Sequence, residues 1–163
     1  MAIGAEEFKR CLATWPSGVT ILTSCAGDRV HGMTVSDFSG ASLSPPLVCA
    51  CCNKDSNTTK LIAEGKCFAV NILAADQQAL SSHFASSKTE ARRFEGVEYT
   101  TGETGAPLLA GVAISLDCRL VATYDAGDHV IYLGEVEEAS VYEREPLVYC
   151  GGRYRALGEP ITS

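Results

Sequence analysis

Apolar positions in this chain recur at two spacings, and the switch between them marks out the elements. Phe8, Cys11, Leu12 and Trp15 fall three to four residues apart, the repeat of an amphipathic helix over Ala5 to Trp15 that Pro16 ends. This stripe is expected to face the core. From Gly18 the period shortens. Gly18 to Cys25 is a strand rich in β-branched residues, Ala26-Gly27-Asp28-Arg29 is a turn, and Val30 to Val35 returns as the next strand. A third strand runs from Leu47 to about Cys52. Asn53 to Ile62 reads as a strand end entering a short helix, with Asp55 or Ser56 as N-cap. Lys66 to Leu73 is a buried strand and Ala75 to Phe84 a short helix. Ala85 to Glu95 is polar and reads as a flexible segment or lid, or as a solvated connection; Gly96, Gly102, Gly105 and Pro107 then punctuate a loop. Val112 to Tyr124 and His129 to Tyr142 are long strand-like runs joined by Asp125-Ala126-Gly127-Asp128, a long β-hairpin. Val130-Ile131-Tyr132-Leu133 is apolar at both parities, so both faces of that strand are expected to be covered, one of them by a partner subunit. Pro146 to Tyr149 makes a last short strand. About seven short strands with a few short helices imply a mostly-β barrel.

Composition narrows the classes. A chain of 163 residues is expected to form one domain, 1–163, and 46% hydrophobic with 20% charged residues is ordinary for a globular protein. A net charge of -7, spread rather than blocked, argues against a nucleic-acid surface. No apolar run is long enough to cross a bilayer, and Met1 to Phe8 lack the basic start and apolar core of a signal peptide. The eight cysteines sit mostly inside apolar runs, where a free thiol acts as a small hydrophobe, so the expected compartment is the reducing cytoplasm. Cys49 and Cys52 spell C-x-x-C, but on a strand residues three apart point to opposite faces, so no metal or dithiol site is expected there.

Candidate chemistry gathers in three places. Gly32-Met33-Thr34-Val35-Ser36-Asp37-Phe38-Ser39-Gly40-Ala41-Ser42-Leu43-Ser44-Pro45-Pro46 is small and hydroxyl-rich, which lets a planar ligand approach main-chain N–H groups; a plain Ser-rich loop has the same composition. The helix start at Ser56, Thr58 and Thr59, with Lys54 and Lys60 nearby, offers donors suited to a phosphate monoester, although a capping turn needs only one of those hydroxyls. His129 stands at the hairpin tip, either as a ligand-facing group or as a tip residue with no task. His31 and His83 have no partner evident in the sequence. There is no G-x-G-x-x-G after the first strand, which argues against a Rossmann nucleotide site.

Several segments together resemble the short flavin reductase family, the reductase halves of two-component flavin monooxygenases, over nearly the whole chain. They are Trp15-Pro16-Ser17-Gly18-Val19-Thr20, Gly32-Met33-Thr34-Val35-Ser36, Ser42-Leu43-Ser44-Pro45-Pro46-Leu47-Val48, Phe68-Ala69-Val70-Asn71-Ile72-Leu73, Gly127-Asp128-His129, Pro146-Leu147-Val148-Tyr149 and Gly152-Arg153-Tyr154. The resemblance implies an FMN-binding split β-barrel that forms a homodimer, binds FMN or FAD and takes NADH or NADPH as co-substrate. It implies that Met33, Thr34, Val35, Ser36 and Ser39 line the isoalloxazine ring, and that Ser56, Asn57 and Thr58 hold the flavin phosphate. It places Phe84 and Ala85 against the cofactor, His129 of the Gly127-Asp128-His129 motif by the nicotinamide, and Tyr154 at the same pocket. Asp37 and Gly40 depart from the family pattern, which often has Ser or Asn and Ser or Thr there; a carboxylate at 37 would disfavour an anionic reduced ring unless it points to solvent.

The implied chemistry is hydride transfer from nicotinamide to flavin, with reduced flavin released to a separate oxygenase. Both cofactors bring their own reactivity, so no acid–base triad is needed. The same barrel also serves reductases of another acceptor, such as a ferric chelate or a corrinoid, and flavin- or haem-binding carriers or sensors. A pyridoxamine-phosphate-type oxidase would want a basic cluster for a second phosphate, and none is clear in the sequence.

Overall fold

The structure, a computed structural model, describes residues 2–161; residues 1, 162 and 163 of the domain expected over 1–163 lie outside that range. Helix α1 (Ala5–Ala13) leads into β1 (Ser17–Gly18), β2 (Thr20–Ala26), β3 (Arg29–Val35), β4 (Phe38–Leu43) and β5 (Pro46–Asn53). Helix α2 (Asn57–Gly65), β6 (Cys67–Ile72), helix α3 (Gln78–Ala85) and a 3-10 helix at Ser87–Arg92 follow. The chain continues through β7 (Tyr99–Thr101), β8 (Pro107–Leu109), β9 (Ile114–Ala126), β10 (His129–Val141), β11 (Val148–Cys150) and β12 (Arg153–Arg155). Seven strands form one antiparallel sheet in the order β3-β2-β6-β9-β10-β5-β4, with a three-stranded sheet β1-β11-β12 and a two-stranded β7-β8 beside it.

Alternation along these strands buries every second residue on one face. Met33 and Val35 of β3 share a core with Leu22, Phe68, Val70, Cys118, Tyr132, Val48, Ala50 and Cys52. β3 and β5 stand far apart in hydrogen-bonded order yet pack against one core, so the sheet curls strongly around it. Gly134 is required where β10 crosses Phe68: a Cβ there would lie 2.4 Å from the ring. A second cluster on the outer side joins Val19, Ile21, Leu73, Phe84, Leu109, Val112 and Leu147. Buried Asn71 ties β8 to the sheet, its Nδ2 donating to Ile21 O at 3.1 Å and its Oδ1 accepting from Leu109 N at 2.7 Å.

Four expectations change. The α1 stripe does not face the core: no α1 residue is buried, and Phe8, Leu12 and the adjoining Trp15 are exposed by 51%, 53% and 73%. The Ser-rich stretch contains strand β4, which pairs with β5; its pairing to a neighbour overrides a composition that favours loops, as suits an edge strand. The polar 85–95 segment is pinned rather than free. Arg93 is only 7% exposed and donates through Nη1 to Gly32 O at 2.7 Å, while Thr89 Oγ1 donates to His83 O at 2.5 Å. The Gly-punctuated stretch after it holds the β7–β8 pair, anchored where Thr104 N and Oγ1 donate to buried Asp117 at 2.7 and 2.5 Å.

Candidate functional site

Residues directly opposite in an antiparallel sheet point to the same side. The registers Ser39↔Cys49, Leu133↔Cys49, Ile131↔Cys51 and His129↔Asn53 therefore make one continuous outward strip, from the β4 edge to the β9–β10 hairpin tip. The intervening Val48, Ala50, Cys52 and Tyr132 point into the core. Cys49 and Cys52 thus face opposite sides, as their spacing on a strand requires. Over the strip lies a cavity of about 510 Å³ lined by Trp15, Ser36, Asp37, Ser39, Cys51 and Tyr149, among others. Burial and the neighbouring Asp37 carboxylate raise the Cys51 thiol, which keeps it a neutral lining group. Asp37 itself is exposed at the cavity edge.

Tyr149 meets Tyr154 edge-on, ring centres 5.3 Å apart, and Tyr154 Oη donates to Ser81 Oγ at 2.9 Å. Thr34 Oγ1 donates to Ser81 O at 2.7 Å, so Thr34, Ser81, Tyr154 and Tyr149 form one chain of contacts leading to the cavity. Met33 and Val35 turn their side chains into the core, which leaves their main chain for a ligand. β3 is an edge of the seven-stranded sheet, so part of its main-chain donor set has no sheet partner.

The strand-to-helix turn at α2 is built around Ser56. Its Oγ accepts from Thr59 N at 3.0 Å and donates to Thr59 Oγ1 at 2.7 Å, the N-cap arrangement expected of Ser56. Thr58 is fully buried and its hydroxyl lies 2.7 Å from His31 Nδ1, a brace between α2 and β3. Asn57 is exposed and its Nδ2 donates to Glu90 Oε1 at 2.9 Å. A second cavity of about 610 Å³ opens here, lined by His31, Asn57, Lys88, Glu90, Arg92 and Arg93. His31 Nε2 is enclosed, lacks a hydrogen-bond partner among the described residues, and sits 3.8 Å from Glu90 Oε1. Burial, and then the Arg93 charge, hold the His31 ring below the usual histidine pKa, against the pull of Glu90.

The hairpin tip docks on the same turn: Lys54 N donates to Asp128 O at 3.1 Å, and Lys54 Nζ pairs with Asp125 at 2.8 Å. Gly127 supplies the positive φ of 66° that lets the chain reverse. His129 Nδ1 donates to Asp128 Oδ1 at 2.8 Å, because a carboxylate can only accept. That bond and the attraction of the ring hold Asp128 below the usual carboxylate range.

The structure thus brings Ser36, Ser39 and, through Tyr149, Tyr154 to the first cavity, and Asp128 and His129 to the hairpin end of the strip, while Asn57 lines the second cavity beside the Ser56 cap. Phe84 lies apart from it as a side chain: it is fully buried against Phe94, ring centres 5.4 Å apart, with exposed Ala85 beside it. Pattern reading missed Trp15 and Tyr149 as cavity walls and His31 and Arg93 as a paired buried site. Only the fold reveals these, since their partners lie 27 to 134 residues away along the chain. The donor set fits a flavin: the hydroxyls of Ser36 and Ser39 and the small side chains of Cys49 and Cys51 at the first cavity, and a helix N-terminus with Lys88 nearby for its phosphate.

A family model described as a flavin reductase like domain matches residues 12–158. An NADH-dependent FAD reductase of Streptomyces globisporus is 39% identical over 153 residues, covering 91% of this chain and 84% of that protein. HsaB of Rhodococcus jostii, the reductase subunit of a flavin-dependent monooxygenase, is 33% identical over 157 residues, covering 96% of this chain and 80% of its own. Among solved structures, the Streptomyces globisporus NADH:FAD oxidoreductase SgcE6 in complex with NAD and FAD fragments superposes with a TM-score of 0.88 at 36% identity, covering 97% of each chain. The family match, the identity and the shared architecture agree, and this chain belongs to the flavin reductase-like family.

Proposed function

We propose that this chain is an NADH-dependent flavin reductase that passes reduced FMN or FAD to a separate oxygenase. The observation that carries the reading is the single outward strip joining Ser39, Cys49, Cys51 and His129 between the hydroxyl-rich β3–β4 turn and the α2 N-terminus. Bound together, the two cofactors would supply the hydride donor and acceptor themselves. The residues' task is to align the two rings and exclude water. Ser36 and Ser39, with the main chain of Met33, Thr34 and Val35, meet the ring edge; Ser56 caps the first α2 turn, its own N–H held by Asn53 O, and the main-chain N–H groups of Asn57 and Thr58 meet the phosphate. Thr58, committed to His31, positions that turn. His129, its Nδ1 spent on Asp128, keeps Nε2 to accept from the nicotinamide carboxamide. Tyr154 closes the same pocket from β12, with Ala85 and the main chain of Phe84 along its side. Gly127 and Asp128 shape the tip that presents His129.

The same reading takes the curled sheet as a split β-barrel within one domain, on the support of β3 and β5 sharing a core. It takes the working form as a homodimer in the cytoplasm. The exposed apolar face of α1 supports the dimer; among the described residues no helix is long and apolar enough to cross a membrane.

The test is NADH oxidation by the purified protein with and without added FMN or FAD. Turnover that rises with free flavin is the expected result. Tightly held flavin with no NADH oxidation would replace the reductase by a carrier or sensor, and turnover only with a ferric chelate or corrinoid would reassign the acceptor.

A further inference from the structure

Two of the eight cysteines meet far from the strip. Cys25 is the next-to-last residue of β2 and Cys67 begins β6, and their sulfurs are 3.7 Å apart. The β2–β6 register reaches Thr23↔Ala69; continued by two residues, it sets Cys25 directly opposite Cys67. Antiparallel partners have Cα atoms about 4.5–5.5 Å apart, inside the 4.4–6.8 Å range that a disulfide spans. Ser24 Oγ donates to Cys67 O at 2.8 Å and holds the two strands together at this point. Gly65 presses on the same place so closely that a Cβ would fall 1.8 Å from Cys25 O. With the sulfurs already 3.7 Å apart, a closure to about 2.0 Å makes the bond.

From this geometry we propose that Cys25 and Cys67 form a reversible disulfide when the protein meets hydrogen peroxide. Peroxide reaches the pair from the Cys25 side, since Cys67 is buried. Cys25 is half-buried, and Cys67 lines a cavity of about 540 Å³ with Lys66, Thr104 and Arg119. In the first step the Cys25 thiolate attacks a peroxide oxygen. The O–O bond breaks, water leaves, and Cys25 becomes a sulfenic acid. In the second step the Cys67 thiol attacks the Cys25 sulfur, the S–O bond breaks and a second water leaves. The two thiols lose two electrons and two protons, and one peroxide becomes two waters. Reduced flavin that escapes to dioxygen is itself a source of hydrogen peroxide, but the pair stands on its geometry whatever the chain's activity. Burial and the neighbouring Cys67 push the Cys25 thiol up to about 11, so the step runs slowly at neutral pH and calls for peroxide in excess.

The pair also sits apart from the strip. Thr20 at the other end of β2 pairs with Val35, next to Ser36, and Cys25 lies five steps further along the strand, about 17 Å at strand rise. The bond would staple the α2–β6 junction to β2 and leave the strip untouched.

The experiment treats the dilute, full-length protein with hydrogen peroxide, unfolds it under alkylating conditions and maps its peptides by mass without reduction. The expected result is a linked species joining the Cys25 and Cys67 peptides, two hydrogen masses lighter than their sum and split by a reductant. The linked species disappears in Cys25→Ser and in Cys67→Ser, and Cys67→Ser traps Cys25 as sulfenic or sulfinic acid. The oxidised wild-type protein melts at a higher temperature than the reduced one, a gain absent from Cys25→Ser. Recovery of Cys25 and Cys67 as free thiols at doses that fully oxidise exposed Cys11 would overturn the proposal. So would a bond from Cys25 to any other cysteine.

Discussion

His129 opens β10 with one ring nitrogen committed to Asp128 and the other left for a ligand. On the proposed function, removing it would take away an interaction with the nicotinamide and leave the flavin phosphate contacts in place. His129→Ala is expected to lower kcat/KM for NADH about ten- to a hundredfold, the loss of one hydrogen bond of about 1.5–3 kcal/mol, with flavin affinity nearly unchanged. Steady-state rates beside flavin titration by fluorescence check this, and equal losses in both would move His129 out of the nicotinamide site. His31 makes a different argument. Its folded pKa lies below the ordinary 6.5, so between the two values the unfolded chain binds more protons than the folded one. Stability from this residue is present above 6.5 and is lost as pH falls through the folded value. Thr58, Glu90 and Arg93 surround the ring, and the effect is a difference against a variant that cannot titrate. Thermal melts from pH 7 to pH 5 are expected to fall more steeply for the wild type than for His31→Asn; parallel curves would show that the ring is not held neutral by the fold.

At the scale of elements, α2 matters most because it carries two interfaces at once. Its N-terminus faces the hairpin tip, and its C-terminal Gly65 rests on the main chain of β2. A methyl at 65 meets a carbonyl oxygen that cannot rotate away, so strand and helix must part. Gly65→Ala is expected to cost about 3 kcal/mol, the upper end of ordinary overpacking, and to lower Tm by roughly 6–12 °C. Gly158→Ala, with nothing within 4 Å of its Cβ, serves as the unperturbed control in the same calorimetric scan. The 3-10 helix offers the opposite lesson. Its polar composition reads as a lid, yet Thr89 and Arg93 fasten it to carbonyls of His83, Ser86 and Gly32. Polar side chains aimed at main-chain carbonyls look, in sequence, the same as polar side chains aimed at water.

For the whole molecule, the exposed apolar face of α1 is the outstanding feature. Phe8, Leu12 and Trp15 stay exposed, and Leu12 and Trp15 also wall the cavity over the strip. If a second copy covers this face, disrupting it should open the cavity as well. Leu12→Glu is expected to shift the protein from dimer to monomer in sedimentation experiments and to weaken flavin binding about tenfold or more, since a buried unpaired carboxylate costs more than 1.4 kcal/mol. A variant that stays dimeric with unchanged affinity would assign the α1 face to another partner.

The order of elements was legible in the sequence because it depends on local causes. β-branched alternation set β2, β3, β5, β6, β9 and β10 close to their observed limits, and a serine before a helical run capped α2 as expected. The hydroxyl-rich stretch, the helix start and the hairpin-tip histidine likewise stood out in the sequence as candidates, by residue type alone. What the sequence alone could not decide was anything carried by long-range register. β4 became a strand because β5 offered it a hydrogen-bonding edge. His31 found Thr58, and Cys25 found Cys67, only once β2, β3, β6 and α2 had closed on one another. Above all, the alignment of Ser39, Cys49, Cys51 and His129 on one face follows from strand pairing across distant parts of the chain, which local propensity does not encode.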